Sequence, residues 1–336
     1  MSVATRVTPD LERAYQALQN GAAFVDRSDR LRMRFSGAKA AESLNGLVTS
    51  DVAALTPGQG QYAAALTPKG KVIADVRIFS RADEMIIDVG PSAAPGWSAM
   101  IRKFVNPRLA KYEDVSQQLG DVGLFGPAST EIVRTVFPDA PVSDLPQYAH
   151  VPAAAQADSL WIARVPDFGV DGYEIFGPPA DLDAVRQKLG EAGAVEVSQD
   201  SLNVARIEAG RPEWGLDMDD SALAQEVDMD RLNAISYSKG CYTGQETVAR
   251  VHFRGHVNRL LRGLRFDAAI APPSGTELID AEAKVVGTVR SGAVSPRFGA
   301  IALGLVRREI EPGTALRVQG DDGMIATTVV ALPFTN

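Results

Sequence analysis

The chain has 336 residues and a formal charge of −8, with 45% hydrophobic and 23% charged residues. That length allows a large core and two or three domains. The acidic balance argues against a general nucleic-acid binder, which needs a basic face. A single cysteine excludes an internal disulfide framework and fits a reducing compartment. No run of about 18 apolar residues is present to span a membrane. Residues 1–16 have neither the apolar centre of a secretory signal nor the basic bias of a transit peptide, so a cytoplasmic location is expected.

In chain order, residues 10–20 show helical spacing (Leu11, Ala14, Tyr15, Leu18) with a stop at Gly21. Leu31-Arg32-Met33-Arg34-Phe35 alternates apolar and basic residues and predicts a strand with one solvated face. A short helix is expected over 37–47 and a turn over 56–60. Strands follow at 62–66 and 72–79, joined by Thr67-Pro68-Lys69-Gly70, and another at 84–89. Residues 98–104 read as helical. A second set begins with a strand at 122–127. Residues 138–157, rich in Pro and Ala, read as a loop or linker. Strands are expected at 160–165 and 173–176, and helices at 181–189 and 201–208. From residue 260 onward, short apolar runs between Pro/Gly turns predict a small antiparallel barrel or sandwich. The fold class is α+β with an all-β C-terminal domain.

The chemistry concentrates in Lys239-Gly240-Cys241-Tyr242-Thr243-Gly244-Gln245-Glu246, which holds the lone cysteine. Thiolates are the nucleophiles and metal ligands, and nearby cations favour them. Lys239 is two residues away, and Arg250 and Arg254 follow. A helix starting near Thr243 would add its N-terminal dipole. The competing reading is a small buried hydrophobe. One thiolate does not hold a four-ligand metal site, so no metal site is assigned. His252 and His256 lack an H-E-x-x-H motif and read as solvated loop residues. Asp75 interrupts an apolar strand, on the same face as Arg77; it either meets a ligand or pairs with Arg77 on a solvated face. Glu174 is a strand carboxylate able to accept two N–H bonds from an amino-pyrimidine edge. Arg206 offers a bidentate fork to a ligand carboxylate, or else lies on a solvated helix face.

The octapeptide, within KGCYTGQETVAR, resembles the signature of the YgfZ-type family, folate-binding relatives of the glycine-cleavage T-protein (aminomethyltransferase). The resemblance extends to Leu44-Asn45-Gly46-Leu47-Val48-Thr49-Ser50-Asp51-Val52, to Leu124-Phe125-Gly126-Pro127-Ala128, to Gly172-Tyr173-Glu174-Ile175, to the Arg206 helix and to Gly287-Thr288-Val289-Arg290-Ser291-Gly292. It implies two interleaved α+β subdomains around a central folate cavity (residues 1–256), then a C-terminal antiparallel β-barrel (residues 257–336). It implies that tetrahydrofolate or a derivative binds through Asp75, Glu174 and Arg206, with Asp75 also catalytic. Lys239 and Cys241 belong to the YgfZ-type signature. Arg30 and Leu202 fall where some members place tryptophans near the folate. The implied role is an accessory factor in assembly, insertion or repair of iron–sulfur clusters. Its partners would be folate and iron–sulfur client proteins or carriers, with Cys241 as a transient ligand of cluster or sulfur. Neither nucleic acid nor membrane is expected as a partner. A tetrahydrofolate-dependent aminomethyl or methyl transferase and a non-catalytic folate-binding scaffold are the alternatives.

Overall fold

The computed structural model describes residues 8–154, 157–320 and 323–335. The chain opens with α1 (Pro9–Asn20). Thr8 caps it by accepting a hydrogen bond from the Leu11 amide (3.2 Å), and Pro9 presets φ at the first helical position. The stripe Leu11, Ala14, Tyr15 and Leu18 is buried, as its spacing predicts. β1 (Ala23–Asp26) follows.

The chain then runs through one pattern twice. The first pass is β2 (Leu31–Ser36), α2 (Ala40–Asn45), β3 (Gly60–Leu66), β4 (Val72–Ser80), β5 (Glu84–Val89), α3 (Ala94–Phe104) and β6 (Lys111–Asp114). The second is β7 (Gly120–Phe125), α4 (Ser129–Val136), β8 (His150–Ala154), β9 (Ala157–Arg164), β10 (Gly172–Gly177), α5 (Pro179–Glu191) and β11 (Val195–Glu196). The sheets are ordered β3-β4-β5-β2-β6 and β8-β9-β10-β7-β1-β11.

Register repeats along with order. β2 and β7 each run into a left-handed glycine, Gly37 (φ 101°) and Gly126 (φ 128°). A Cβ at Gly126 would lie 2.4 Å from the Gly21 carbonyl oxygen, so only glycine fits. Counted back from these glycines, Arg32 and Asp121 hold the same position. Their neighbours match too: Met33 pairs with Ile87 and Ile87 with Ile78, while Val122 pairs with Ile175 and Ile175 with Ile162. One place is exchanged. β6 lies antiparallel beside β2, but the equivalent place beside β7 is taken by β1. The two α+β subdomains are therefore interleaved.

After α6 (Gln199–Glu208), a long irregular stretch leads to α7 (Gln245–Arg254). The C-terminal strands are β12 (Arg259–Phe266), β13 (Glu277–Ile279), β14 (Val285–Ser295), β15 (Gly299–Arg307), β16 (Ala315–Gly320) and β17 (Gly323–Val330). They close into a barrel ordered β12-β15-β14-β13-β16-β17, packed inside by residues such as Leu264, Leu278, Val289, Val318 and Val329. Body and barrel are joined at Glu208, which accepts from Ser295 Oγ (2.5 Å) and Tyr15 Oη (3.2 Å). Among the described residues no helix is long and apolar enough to cross a membrane.

Two expectations are corrected. Residues 138–157 are not all loop, for they contain β8; its Pro152 is tolerated because β8 is the outer strand of its sheet. Ala155 and Gln156 lie outside the described residues. The basic face of β2 is solvated only in part: Arg34 is half-buried, whereas Arg32 has no exposure. Its guanidinium donates to the carbonyls of Arg27 (2.6 Å), Arg30 (3.1 Å) and Ser28 (3.2 Å). A buried cation persists only when its donors are used in this way.

Candidate functional site

The two sheets meet through buried charge. Arg77 on β4 bonds Glu174 on β10 (2.6 Å) and Asp88 on β5 (3.2 Å), and also holds Asp167. Arg27, just after β1, pairs with the other Glu174 oxygen (2.7 Å). Arg30 reaches both Asp88 oxygens through Nε (2.8 and 3.0 Å). Burial works to raise both aspartates, and the arginines overrule it. Arg30, Arg77 and Arg32 hold Asp88 below the usual carboxylate range. Arg211, Arg77, Arg27 and Arg30 bring Asp167 down to about 2.

Against this cluster lies a cavity of about 620 Å³, counting the part open to solvent. Asp75 lines it from β4, an inner strand of its sheet. Tyr62, diagonally opposite on β3, donates its hydroxyl to Asp75 Oδ2 (2.9 Å). The Tyr62 ring is fixed in turn: it stacks with Tyr148 (6.2 Å between centroids), and the Arg211 guanidinium lies 4.4 Å from its centroid. Arg211 donates to Tyr148 Oη (2.8 Å) and pairs with Asp167 (2.9 Å). Asp75 and Arg77 share the cavity without pairing; the solvated-edge reading fails because Arg77 is only 3% exposed and is spent on three other carboxylates.

Arg206 also lines the cavity and is buried, so it does not lie on a solvated helix face. Its Nη1 donates to Asp217 (2.5 Å) and to the Arg211 carbonyl (2.7 Å), and its Nε to Asn203 (2.9 Å). Nη2 is buried with no hydrogen-bond partner. A guanidinium N–H left in that state marks a place for an acceptor. Glu174 is fully buried, both oxygens face arginines, and it is not among the residues lining the cavity. Of the two positions aligned with tryptophans, Arg30 lines the cavity, whereas Leu202 is packed in a core cluster with Phe125 and Phe168.

The cysteine loop lies apart from this lining. Cys241 is exposed and free, four residues ahead of α7 and outside its first turn. Lys239 does not serve the thiol as expected. Its ammonium is buried in a cage of three carbonyls, those of Ser50 (2.6 Å), Asn45 (2.7 Å) and Val48 (2.9 Å). Burial lowers its pKa to about 8, against a smaller upward pull from Asp51. Lys239 is a tether between the cysteine loop and the end of α2. Gly244 (φ 85°) closes the loop, where a Cβ would lie 2.6 Å from the Thr67 carbonyl oxygen. Gly240 has open space around it. His252 is exposed on α7 rather than in a loop, stacked 3.7 Å from Tyr237. Among the described residues no group of three or more His, Cys, Asp or Glu is placed to hold a metal ion.

Sequence reasoning passed over Arg27, Tyr62, Asp167 and Arg211. Tyr62 stands in β3 just ahead of three alanines, and Asp167 sits in the loop Val165-Pro166-Asp167-Phe168-Gly169; either could have prompted a closer look. Arg27 carried no local signal.

Comparison with known proteins bears on the whole chain. The profile of the GCVT N-terminal domain matches residues 4–236, and that of the glycine cleavage T-protein C-terminal barrel domain matches residues 259–336. The aminomethyltransferase of Saccharopolyspora erythraea is 29% identical over 327 residues, covering 95% of this chain and 88% of that one. That of Nostoc sp. is 26% identical over 332 residues, covering 96% and 87%. The crystal structure of the glycine cleavage system aminomethyltransferase T from Bartonella henselae superposes with a TM-score of 0.86 at 22% identity, covering 97% and 89%, a likeness of fold.

Proposed function

Because the chain belongs to the glycine-cleavage T-protein family, we propose that it binds tetrahydrofolate or a derivative in the central cavity and acts there on a one-carbon unit, as a tetrahydrofolate-dependent aminomethyl or methyl transferase. The observation that carries this reading is Asp75, a carboxylate set on an inner strand, oriented by Tyr62 and facing the cavity that Arg206 also lines. The residues present fit such a ligand. The cavity is lined by Asp75, Tyr62 and several arginines, and the unpartnered Nη2 of Arg206 suits a ligand carboxylate. Bound tetrahydrofolate would supply the nitrogen that accepts the one-carbon unit. Asp75 would move the proton at Oδ1, the oxygen left free by Tyr62. Glu174, held between Arg27 and Arg77, would act by fixing those arginines, and Asp167 would be the buried carboxylate offered to the N–H edge of a pterin.

A second reading is favoured by one observation: the sole thiol is exposed on a loop tethered by Lys239, outside the cavity lining. In it the protein is a folate-dependent accessory factor for iron–sulfur clusters of the YgfZ type. Cys241 would then act as a thiolate toward client proteins or carriers.

The test is titration with tetrahydrofolate of wild type, Asp75→Ala and Cys241→Ala, with methylene-tetrahydrofolate formation from amine donors and four-iron enzyme activity in cells as further readouts. Binding weakened by Asp75→Ala and kept in Cys241→Ala is expected. Turnover that needs Asp75 and not Cys241 supports the transferase. Four-iron enzymes that fail with Cys241→Ala, without turnover in vitro, support the second reading. Binding with both residues silent leaves a scaffold, and no binding in any variant overturns all three.

A further inference from the structure

Arg206 enters the cavity wall from α6 with most of its guanidinium already engaged. Nη1 donates to Asp217 (2.5 Å) and to the Arg211 carbonyl (2.7 Å), and Nε to Asn203 (2.9 Å), while Glu213 Oε2 lies 3.2 Å from Nε. A planar group fastened at two of its three nitrogens does not turn freely. The direction of Nη2, the nitrogen without a partner, is therefore set by what holds the other two. The charged partner at Nη1 is Asp217, a carboxylate with no exposure. Its Oδ2 also accepts from the Glu213 amide (3.0 Å). Its Oδ1 accepts from Ser291, both from the amide (3.1 Å) and from the hydroxyl.

Ser291 belongs to the barrel, 74 residues beyond Asp217. It stands at a bulge in β14: Val289 pairs with Gly304 and Gly292 with Ala302, so Arg290 and Ser291 together face Leu303. In a regular strand two neighbours point to opposite faces. Here both reach the same turn of the body, for Arg290 Nη1 lies 3.2 Å from Asp219 Oδ2, beside the Ser291–Asp217 bonds. That turn is closed by the Asp217 amide donating to the Glu213 carbonyl (2.9 Å), and its Glu213 lines the cavity with Arg206. By contrast, the body–barrel contact at Glu208 ends on Tyr15 and Ser295, neither of which lines the central cavity.

We propose that Asp217 and Ser291 are positioning residues for the ligand: through them the barrel holds Arg206 so that Nη2 meets an oxygen of the ligand, and it contributes to affinity without touching the ligand itself. The inference rests on the reading that tetrahydrofolate or a derivative binds in the central cavity. The barrel is then part of the binding site and not only a domain appended to it.

The test is titration of the full chain with tetrahydrofolate in wild type, Arg206→Lys, Asp217→Asn, Ser291→Ala and the double variant Arg206→Lys/Ser291→Ala. Thermal unfolding of each shows that it is folded. Arg206→Lys and Asp217→Asn are expected to weaken binding by about tenfold or more, and Ser291→Ala by about threefold to tenfold. In the double variant Ser291→Ala should add less than about twofold, because the fork that it positions is gone. A purely structural role would make the two losses add. Ser291→Ala removes one hydroxyl and, with its double variant, decides alone if Asp217→Asn does not fold. A folded Asp217→Asn or Ser291→Ala at wild-type affinity, or losses that add in the double variant, would overturn the proposal and leave the folate reading standing. Wild type that binds no tetrahydrofolate would overturn the folate reading and the proposal with it.

Discussion

Arg32 and Asp121 occupy the same position in the two repeated units, and across the junction their side chains meet 3.6 Å apart, neither with any exposure. The pair is unequal. Arg32 is fastened by three carbonyls, while neither Asp121 oxygen has a hydrogen-bond partner. Burial first, and then the neighbouring Glu174, push the Asp121 carboxyl well above the usual range. Substitution should therefore be asymmetric. Arg32→Met should cost about 3–5 kcal/mol by stranding carbonyls and carboxylates in the junction, whereas Asp121→Asn, which mimics a form the site already favours, should cost roughly 1 kcal/mol or less. Urea unfolding of the two variants decides; equal losses would contradict this account.

The Tyr62–Asp75 bond should matter to chemistry more than to stability. If the transferase reading holds, Asp75→Asn should lower turnover by about 10²–10⁴-fold. Tyr62→Phe, which removes one bond to the carboxylate, should lower it by about tenfold with little effect on ligand affinity. Steady-state rates and a tetrahydrofolate titration on the same samples separate the two effects. A Tyr62→Phe variant at full rate would show that the hydroxyl does not orient Asp75.

Removing the Lys239 ammonium leaves the Ser50, Asn45 and Val48 carbonyls without their donor. Lys239→Met is expected to destabilise the protein by about 2–4 kcal/mol and to increase hydrogen exchange in both the cysteine loop and the end of α2. Exchange confined to the loop would mean that the cage is not the tether.

His150 supplies a pH dependence. It is buried between Phe79 and Trp161, and burial, helped by Arg81, lowers its pKa to about 4 from the usual 6.5. Between these values the unfolded chain binds the extra proton, so stability should fall as pH drops from 6.5 to about 4, by at most roughly 3 kcal/mol. A His150→Phe variant should show a flatter stability profile over that interval in denaturant titrations at several pH values.

Most local elements were legible in sequence because their signals are local. The spacing of Leu11, Ala14, Tyr15 and Leu18 and the stop at Gly21 mark α1, and the Pro/Gly punctuation after residue 260 marks the barrel strands. The repeat was not legible. Arg32 and Asp121, or Arg34 and Gly123, hold equal places with unlike side chains, because each unit buries its face against the other and not against a copy of itself. In the site, Asp75 stood out as a carboxylate in an apolar strand, but Arg77 looked like its partner since period two puts both on one face. The carboxylates that in fact surround Arg77 arrive from the neighbouring strand β5 and, 90 or more residues along the chain, from the loop at Asp167 and from β10. Lys239 misled for the same reason: two residues of separation from Cys241 suggested contact, while its true acceptors lie 189 to 194 residues earlier.

The placement of β1 bears on how the chain is made. β1 leaves the ribosome among the first segments, yet its ladder partners are β7 and, last of its sheet to emerge, β11. The first sheet, all within residues 31–114, can pair as soon as it is synthesised. Throughout that time β1 waits with both edges open, a strand without a sheet. Cutting the gene between β6 and β7 would strand it permanently: the first product would carry a surplus strand, and the second would lack the strand that joins β7 to β11. Nascent-chain proteolysis should find residues 23–26 vulnerable until β11 has emerged.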